Sequence, residues 1–363
     1  MKTFLLSIFL ILPYLSAASE TKICQKCHPV IYKEYYNSIH RKSSPVNDPI
    51  YKALLTKVKD TKKCATCHSP SAHDEQTKRE EPISCVYCHT IKDIDEKKSE
   101  NNNILSGKKK DFYTAQVDKK DLKHGKYEMV SSFFGLVTKS QNSPYHQIEY
   151  NNENYYNGNV CMGCHSHVNN EHNVDVIMLD AYIDIKDKET CISCHMPQIQ
   201  GSKTTLSDSK THAYHGIAGV HNMSKSLGKY IDFKVNKTNE GFIVQIINQA
   251  NHALFGTANR EGILEVSILR NGKTIKLKPA LFTRTFGKNG VKSLPFEADN
   301  ILKDTLIYAK KDIHYNSKLQ KGDRVILSLG FRLINNEVAE ELNLENISSF
   351  TKVRYLKKAS FSF

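Results

Sequence analysis

Ten cysteines and five histidines stand in an arrangement that could fix a metal-bearing cofactor. The cysteines form five pairs with two residues between, and a histidine directly follows each pair. Two thiols at this spacing form thioethers with the vinyl groups of one haem, and the adjacent imidazole binds its iron. The sequence therefore predicts five covalent haem c groups on Cys24, Cys27, Cys64, Cys67, Cys85, Cys88, Cys161, Cys164, Cys191 and Cys194, with His28, His68, His89, His165 and His195 as proximal iron ligands.

Two other uses of paired cysteines compete with this interpretation. Exported proteins build disulfide scaffolds, and paired Cys-x-x-Cys knuckles build tetrahedral zinc sites. Neither explains why a histidine follows every pair. Histidine makes up 16 of 363 residues, so five such positions by chance have a probability of roughly two in ten million. Zinc would also require an even number of knuckles, whereas the chain has five.

The spacing of the motifs requires the haems to pack closely. All five motifs lie between Cys24 and His195, and a domain of about 200 residues has a radius of gyration near 16 Å. Neighbouring macrocycles must then nearly touch, which favours electron transfer between them. We predict a mainly α pentahaem domain over residues 19–228, with long loops between short helices that carry the motifs. We expect most of residues 90–159 to form a solvent-exposed loop, apart from a helix near Phe133 and the stretch around His146.

Residues 229–363 contain no cysteine and have the pattern of a β domain. Asn271-Gly272 predicts a type I′ hairpin turn, because these two residues readily adopt positive φ angles. No helical pattern alternates with the strands, so we predict a C-terminal antiparallel β-sandwich over residues 229–363. The expected strands cover residues 230–235, 242–247, 263–269, 274–277, 305–309, 324–331 and 353–363.

The first 18 residues predict a signal peptide. Lys2 supplies the positive end, Phe4 to Leu15 form the apolar stretch, and Ser16-Ala17-Ala18 offers a cleavage site. An uncleaved anchor is the alternative, although the apolar run is too short to span a bilayer. No later segment is apolar enough to cross a membrane. We therefore expect an exported, periplasmic protein without an integral membrane segment.

The basic charge of the chain raises the question of nucleic-acid binding. The formal net charge is +13, and cleavage would remove one charge with Lys2. Each ferric bis-imidazole haem with two ionised propionates adds roughly −1, which would bring the oxidised holoprotein to about +7. The basic residues then balance propionates, and no nucleic-acid partner is expected.

Several stretches between the motifs are also distinctive. Ser38-Ile39-His40 is followed by Asp48-Pro49-Ile50-Tyr51, and Ser143-Pro144-Tyr145-His146 precedes the fourth motif. Cys191 to Pro197 reads C-x-x-C-H-M-P, and His215 to Gly219 resembles H-x-F-x-G. With these stretches the chain resembles multihaem c-type cytochromes of the cytochrome c-554 type with a C-terminal β-domain. Asn251 to Thr257 looks like that family's G-H-x-x-P-T-G, with Asn251 and Phe255 departing from the Gly and the Pro.

Eleven histidines remain as candidates for the sixth position on the irons. The resemblance favours three of them, a fourth lies three residues before one of these, and a fifth could reach over from the β domain. The predicted distal ligands are therefore His40, His146, His215, His212 and His252. We expect His73, His124, His167, His172, His221 and His314 at the surface or beside the ligands. No methionine stands in a recognisable ligand context, so mostly bis-histidine, low-potential haems are expected.

The resemblance implies a redox function but leaves the substrate open, since related proteins include nitrite reductases and hydroxylamine oxidoreductases. If every iron has a sixth protein ligand, the protein is an electron carrier between redox proteins, including a membrane quinol-linked donor. If one iron is open, it could be a reductase or oxidase of a small nitrogen or sulfur oxyanion, which the basic charge would attract. A third possibility is a binding role for the β domain. The electron carrier is the preferred interpretation.

Overall fold

The computed structural model describes residues 20–58, 62–70, 82–95, 100–103, 111–115, 129–131, 138–140, 143, 145–179, 189–206, 209–219 and 221–363. The predicted signal peptide and the predicted helix near Phe133 lie outside these residues. Within the described ranges, no helix combines the length and the apolar character needed to cross a bilayer.

Short helices carry the haem motifs, as the sequence predicts. In the amino-terminal part they are α1 (Glu20–Cys24), α2 (Pro29–Tyr36), α3 (Pro49–Leu55), α4 (Lys62–His68), α5 (Cys85–His89), α6 (Asn154–Asn157), α7 (Met162–His165) and α8 (Cys191–His195). Four of these helices, α4, α5, α7 and α8, end on a motif histidine. In the first motif the backbone N–H of His28 donates to the carbonyl of Cys24 at 2.9 Å. A helical turn therefore places each histidine beneath its cysteines.

Side-chain caps fix where three of these helices begin. The carboxylate of Asp48 accepts the backbone N–H of Ile50 and of Tyr51 at 2.9 and 3.1 Å, at the start of α3. The hydroxyl of Ser84 caps α5, and Thr190 caps α8 in a reciprocal capping box. Each cap satisfies N–H groups that a first helical turn leaves without a partner.

The amino-terminal part also contains short strands, which the sequence analysis did not predict. They form two-stranded sheets, antiparallel except for the pair β3–β6. Their bounds are β1 (Ile91–Asp95), β2 (Glu100–Asn103), β3 (Asp111–Tyr113), β4 (Met129–Ser131), β5 (Thr138–Ser140), β6 (Gln147–Glu149), β7 (His167–Asn169), β8 (Asp175–Met178), β9 (Gln198–Gln200) and β10 (Thr211–Ala213). The expectation of a mainly α domain is therefore met only in part.

The expected solvent-exposed loop packs against the haem motifs at several of its described residues. Tyr113, Tyr150 and Tyr155 are buried. The amide of Asn103 donates to the carbonyl of Tyr87 at 2.7 Å, inside the third motif. Asparagine and tyrosine look polar in the sequence, but here their polar atoms bond backbone groups while their bodies pack. The expectation was wrong for these segments.

The carboxy-terminal part consists of antiparallel strands. They are β11 (Ile231–Lys237), β12 (Phe242–Asn248), β13 (Glu261–Arg270), β14 (Lys273–Lys276), β15 (Ala280–Phe282), β16 (Arg284–Lys288), β17 (Val291–Lys292), β18 (Asn300–Asp304), β19 (Lys310–Tyr315), β20 (Arg324–Arg332) and β21 (Arg354–Ser362). One sheet has the order β11-β12-β19, a second has β14-β13-β20-β21 with β15 beside β13, and a third has β17-β16-β18. The first two contribute side chains to one hydrophobic core.

Local pattern explains most of these strands. Every second side chain of β12 is buried, as expected for a strand with one face on a core. Asn271 and Gly272 have φ angles of 48° and 75°, which confirms the predicted hairpin turn between β13 and β14.

Three features of this part differ from the sequence prediction, the first being that strands β15 to β19 were not predicted. Residues 305–309 are not a strand, because the carboxylate of Asp304 accepts the N–H of Leu306 and turns the chain, leaving a single bridge between Ile307 and Leu254. Two short helices, α9 (Asn336–Glu341) and α10 (Ser348–Thr351), were also missed. The side chain of Asn335 caps α9. Too few turns are present for a helical periodicity to show in the sequence.

The amino- and carboxy-terminal parts pack against each other. The amide of Asn170 donates to the carbonyls of Pro295 and Ala298 at 2.8 and 2.7 Å. Val174 shares a small apolar cluster with Phe286 and Ala298. The domain boundary between residues 228 and 229 stays a prediction, and it falls within the 3₁₀ helix Ser224–Tyr230.

Candidate haem-binding cavity

All ten motif cysteines line one continuous cavity of about 2990 Å³. Divided among five motifs this volume gives about 600 Å³ each, which lies within the range of pockets that hold a single organic cofactor. The five motif histidines line the same cavity, as do all five predicted distal histidines. The cavity therefore has the size and the lining that several haems require.

Four histidines face four motif histidines across this cavity. The ring centres are 6.3 Å apart for His28 and His146, 6.1 Å for His40 and His165, 6.2 Å for His89 and His215, and 6.2 Å for His195 and His252. A metal–imidazole bond is about 2.0–2.1 Å, and the ring centre lies about 1.1 Å behind the nitrogen, so two imidazoles on one metal stand roughly 6.2 Å apart. The residues present thus fit four bis-histidine haem irons.

Backbone carbonyls hold the paired rings by their Nδ1 atoms. The partners are Lys203 for His28 at 2.7 Å, Tyr113 for His89 at 2.8 Å, Ala218 for His195 at 2.5 Å, Ala213 for His215 at 2.7 Å and Ala253 for His252 at 3.0 Å. Such a bond fixes the tautomer and the ring orientation of a metal-binding histidine. It leaves Nε2 free to bind iron.

Burial keeps several of these imidazoles neutral. It lowers the pKa of His40 and of His215 to about 4, with His68 and His89 respectively adding to the shift. Burial, followed by the charge of His40, lowers the pKa of His165 to about 3. A metal binds the neutral imidazole, so these rings are ready to ligate over the physiological pH range.

His212 is placed differently from the other predicted ligands. Its Nδ1 bonds the carbonyl of Gly201 and its Nε2 bonds the carboxylate of Glu34, both at 2.9 Å. The other oxygen of Glu34 accepts the backbone N–H of His215 at 2.9 Å. Both ring nitrogens are therefore occupied by protein partners, and His212 takes the role of a support for the loop that presents His215.

Replacing Glu34 by Gln should loosen this support. The side chains of His212 and Glu34 are 2% and 13% exposed, and a nearly buried bond of this kind contributes about 1–3 kcal/mol. We expect a lower thermal midpoint in circular dichroism, with the haem spectrum still low-spin. Glu240→Gln, at an exposed position, is the matched control. Equal midpoints for the two variants would contradict the assigned role of Glu34.

The second motif differs from the other four. Of the histidine side chains that the structure describes, none lies opposite His68 at the separation found in the pairs. The ring of Tyr51 stacks on His68 with centres 4.2 Å apart, which is too close for a metal to lie between them. The Nδ1 of His68 lies 3.3 Å from the carbonyl of Ser43. His73 and His124 fall outside the described residues, as does the side chain of His167.

The remaining candidate histidines lie away from the pairs. His172 and His314 are exposed, and His172 is 3.5 Å from the carboxylate of Glu171. His221 lies on the cavity wall.

Cysteines of different motifs lie close enough to interact electrostatically, which indicates which motifs are neighbours. Cys24 interacts in this way with Cys85, Cys67 with Cys164, and Cys161 with Cys191. Cys88 interacts electrostatically with Cys161 and Cys164. The third and fourth motifs are therefore adjacent, the first joins the third, and the second and fifth join the fourth.

An ordered loop of the β domain presents His252. The amide of Asn248 donates to the carbonyl of His252 at 2.8 Å, and Phe255 packs in the core with a φ angle of 69°. A side chain at Gly262 would collide with the ring of Phe255. These contacts explain how the loop keeps its shape although Asn251 and Phe255 depart from the family pattern.

Comparisons with known proteins agree with this cavity. Residues 23–90 match the family model described as cytochrome c554 and c-prime. The chain is also similar to the crystal structure of a penta-haem cytochrome c552 from Thermochromatium tepidum, with a TM-score of 0.68 and 20% sequence identity over 94% of this chain and 98% of that chain. The chain therefore shares its fold with that penta-haem cytochrome. No curated protein matched the sequence.

Proposed function

We propose that this chain is a multihaem c-type cytochrome that binds five haem c groups and passes electrons through the cavity from one redox protein to another. When bound, the haems supply one-electron redox chemistry. The single observation that carries the proposal is the set of four histidine pairs at 6.1–6.3 Å. The interactions between cysteines of different motifs support it, because haems attached to neighbouring cysteines would have adjacent edges. Export to the periplasm and a quinol-linked membrane donor belong to the same proposal.

Mass spectrometry and redox titration of the natively matured protein test this proposal. We expect a mass increased by five haem groups and low potentials for the bis-histidine haems. Free thiols, disulfides or fewer than five haems in that protein would refute it.

A second candidate function is the reduction or oxidation of a small nitrogen or sulfur oxyanion. The observation that favours it is the second motif, where no described histidine side chain lies opposite His68. The interaction between Cys67 and Cys164 supports a position of this motif at the end of a branch, where electrons would arrive from the fourth motif.

Carbon monoxide distinguishes the two functions. The second function predicts that the reduced protein binds one carbon monoxide per five haems, because only an iron without a sixth protein ligand accepts it readily, whereas an electron carrier with a sixth protein ligand on every iron should bind none. Optical titration measures the stoichiometry, with the oxidised protein as the control. Complete absence of binding would remove the enzyme and leave the electron carrier.

A further inference from the structure

Four basic side chains from distant parts of the chain meet on one wall of the haem cavity. They are Lys42, His221, Arg260 and Arg354, and all four line the cavity. Burial lowers the pKa of His221 to about 4, and the charges of Arg354, Arg260 and Lys42 add to the shift. The charge of Arg260 also acts on His165. The cluster therefore lies beside the fourth motif.

Arg260 is a half-buried cation that has no anionic partner in the described part of the chain. Its Nε is buried and makes no hydrogen bond. Its guanidinium lies over the ring of Phe331, 5.8 Å from the ring centre. A buried charge is costly unless it is paired, and proteins seldom retain one without a partner. A second cation nearby, Arg354, increases this cost.

Arg354 uses only part of its hydrogen-bonding capacity. Its Nη2 donates to the carbonyl of Ser349 at 2.7 Å, while its buried Nη1 has no hydrogen-bond partner. Three other arginines of the β domain do have carboxylates, in the pairs Arg270–Asp323, Arg284–Asp304 and Arg332–Glu261. Among the residues that the structure describes, no carboxylate lies within ion-pair distance of Arg260 or Arg354. Arg260 and Arg354 are thus two residues of the cavity wall that lack a counter-charge among the described residues.

We propose that Arg260 and Arg354, assisted by Lys42 and His221, bind one oxyanion group in the cavity beside His165. Guanidinium groups suit this role because their N–H donors match the oxygens of a carboxylate or another oxyanion. The inference rests on the proposed function, in which haems fill the cavity. The bound group is either the propionate of a haem or a small oxyanion from solution, and experiment separates these sources.

The test compares Arg260→Gln and Arg354→Gln with Arg324→Gln, which removes an exposed charge of β20 outside the cavity. Each holoprotein is first shown by mass to carry five haems. Calorimetric titration with sodium nitrite and sodium sulfite then measures anion binding, and spectroelectrochemistry measures the haem potentials. Arg260→Lys retains the charge and should behave like the unaltered protein. If Arg260→Gln does not fold, Arg354→Gln decides alone.

Each source predicts a separate result. A dissolved oxyanion predicts that the unaltered protein binds nitrite or sulfite, and that both cavity variants weaken binding about tenfold or more, as expected for loss of a charge-assisted bond. A propionate predicts no binding of added anions, together with a lower potential of one haem in both variants, because a lost cation favours the oxidised state. Five-haem variants that match Arg324→Gln in both measurements would overturn this site alone. A haem missing from the unaltered protein would instead overturn the proposed function.

Discussion

Replacing His252 by Ala is expected to convert one haem of five from low-spin to high-spin. His252 stands 6.2 Å from His195 in ring-centre distance, and its Nδ1 bonds the carbonyl of Ala253. Alanine has no group that could reach an iron, so the iron next to His195 would lose its sixth ligand. Electron paramagnetic resonance of the oxidised protein measures the change. The reduced variant should also bind one more carbon monoxide than the unaltered protein.

His314→Ala is the matched control for this prediction. His314 belongs to the same domain but lies exposed on β19. Its removal should leave all spectra unchanged. A His252→Ala protein with five haems and an unaltered low-spin signal would show that His252 does not ligate, however close it lies to His195.

The second large effect separates two histidines that stand three residues apart. His215→Ala should produce one high-spin haem, because His215 faces His89 at 6.2 Å. His212→Ala should keep every haem low-spin and instead lower the thermal stability, because it removes both the bond to Glu34 and the bond to Gly201. The cost should be roughly 1–3 kcal/mol for the partner left buried.

The two variants serve as controls for each other. Both remove one imidazole from the same short segment, so a general disturbance of that segment would affect both spectra alike. Measuring the spin state and the thermal midpoint of each variant completes the comparison. A high-spin haem in His212→Ala with a normal spectrum in His215→Ala would reverse the two roles.

The features that the sequence predicted are local in origin. The Cys-x-x-Cys-His turns, the Asn271-Gly272 hairpin and the alternation of β12 each depend on residues a few positions apart. The strand predicted at residues 305–309 failed for a local reason as well, since Asp304 ends the preceding strand. Apolar residues there have the composition of a strand, but the carboxylate competes for the backbone.

Features that depend on distant residues were not predictable. The resemblance favours His215 over His212, but nothing in the sequence assigns His212 its supporting role, because only the fold brings Glu34 to both of them. Likewise, Asn101 donates to the sulfur of Cys164 from a stretch that looks like a solvated loop. In the sequence, Arg260 and Arg354 look like any other basic residues, and only the fold shows that some of their nitrogens are buried. A charged or amide side chain shows its role only once its neighbours are known.

The interactions between motif cysteines would make a haem on the fourth motif a junction. Cys164 interacts with Cys67, Cys161 interacts with Cys191, and Cys88 of the third motif interacts with both Cys161 and Cys164. Damage to the first or fifth haem would only shorten the network at one end. Loss of the fourth haem would divide the network into separate groups of haems. The effect of losing one haem should therefore depend strongly on which motif carries it.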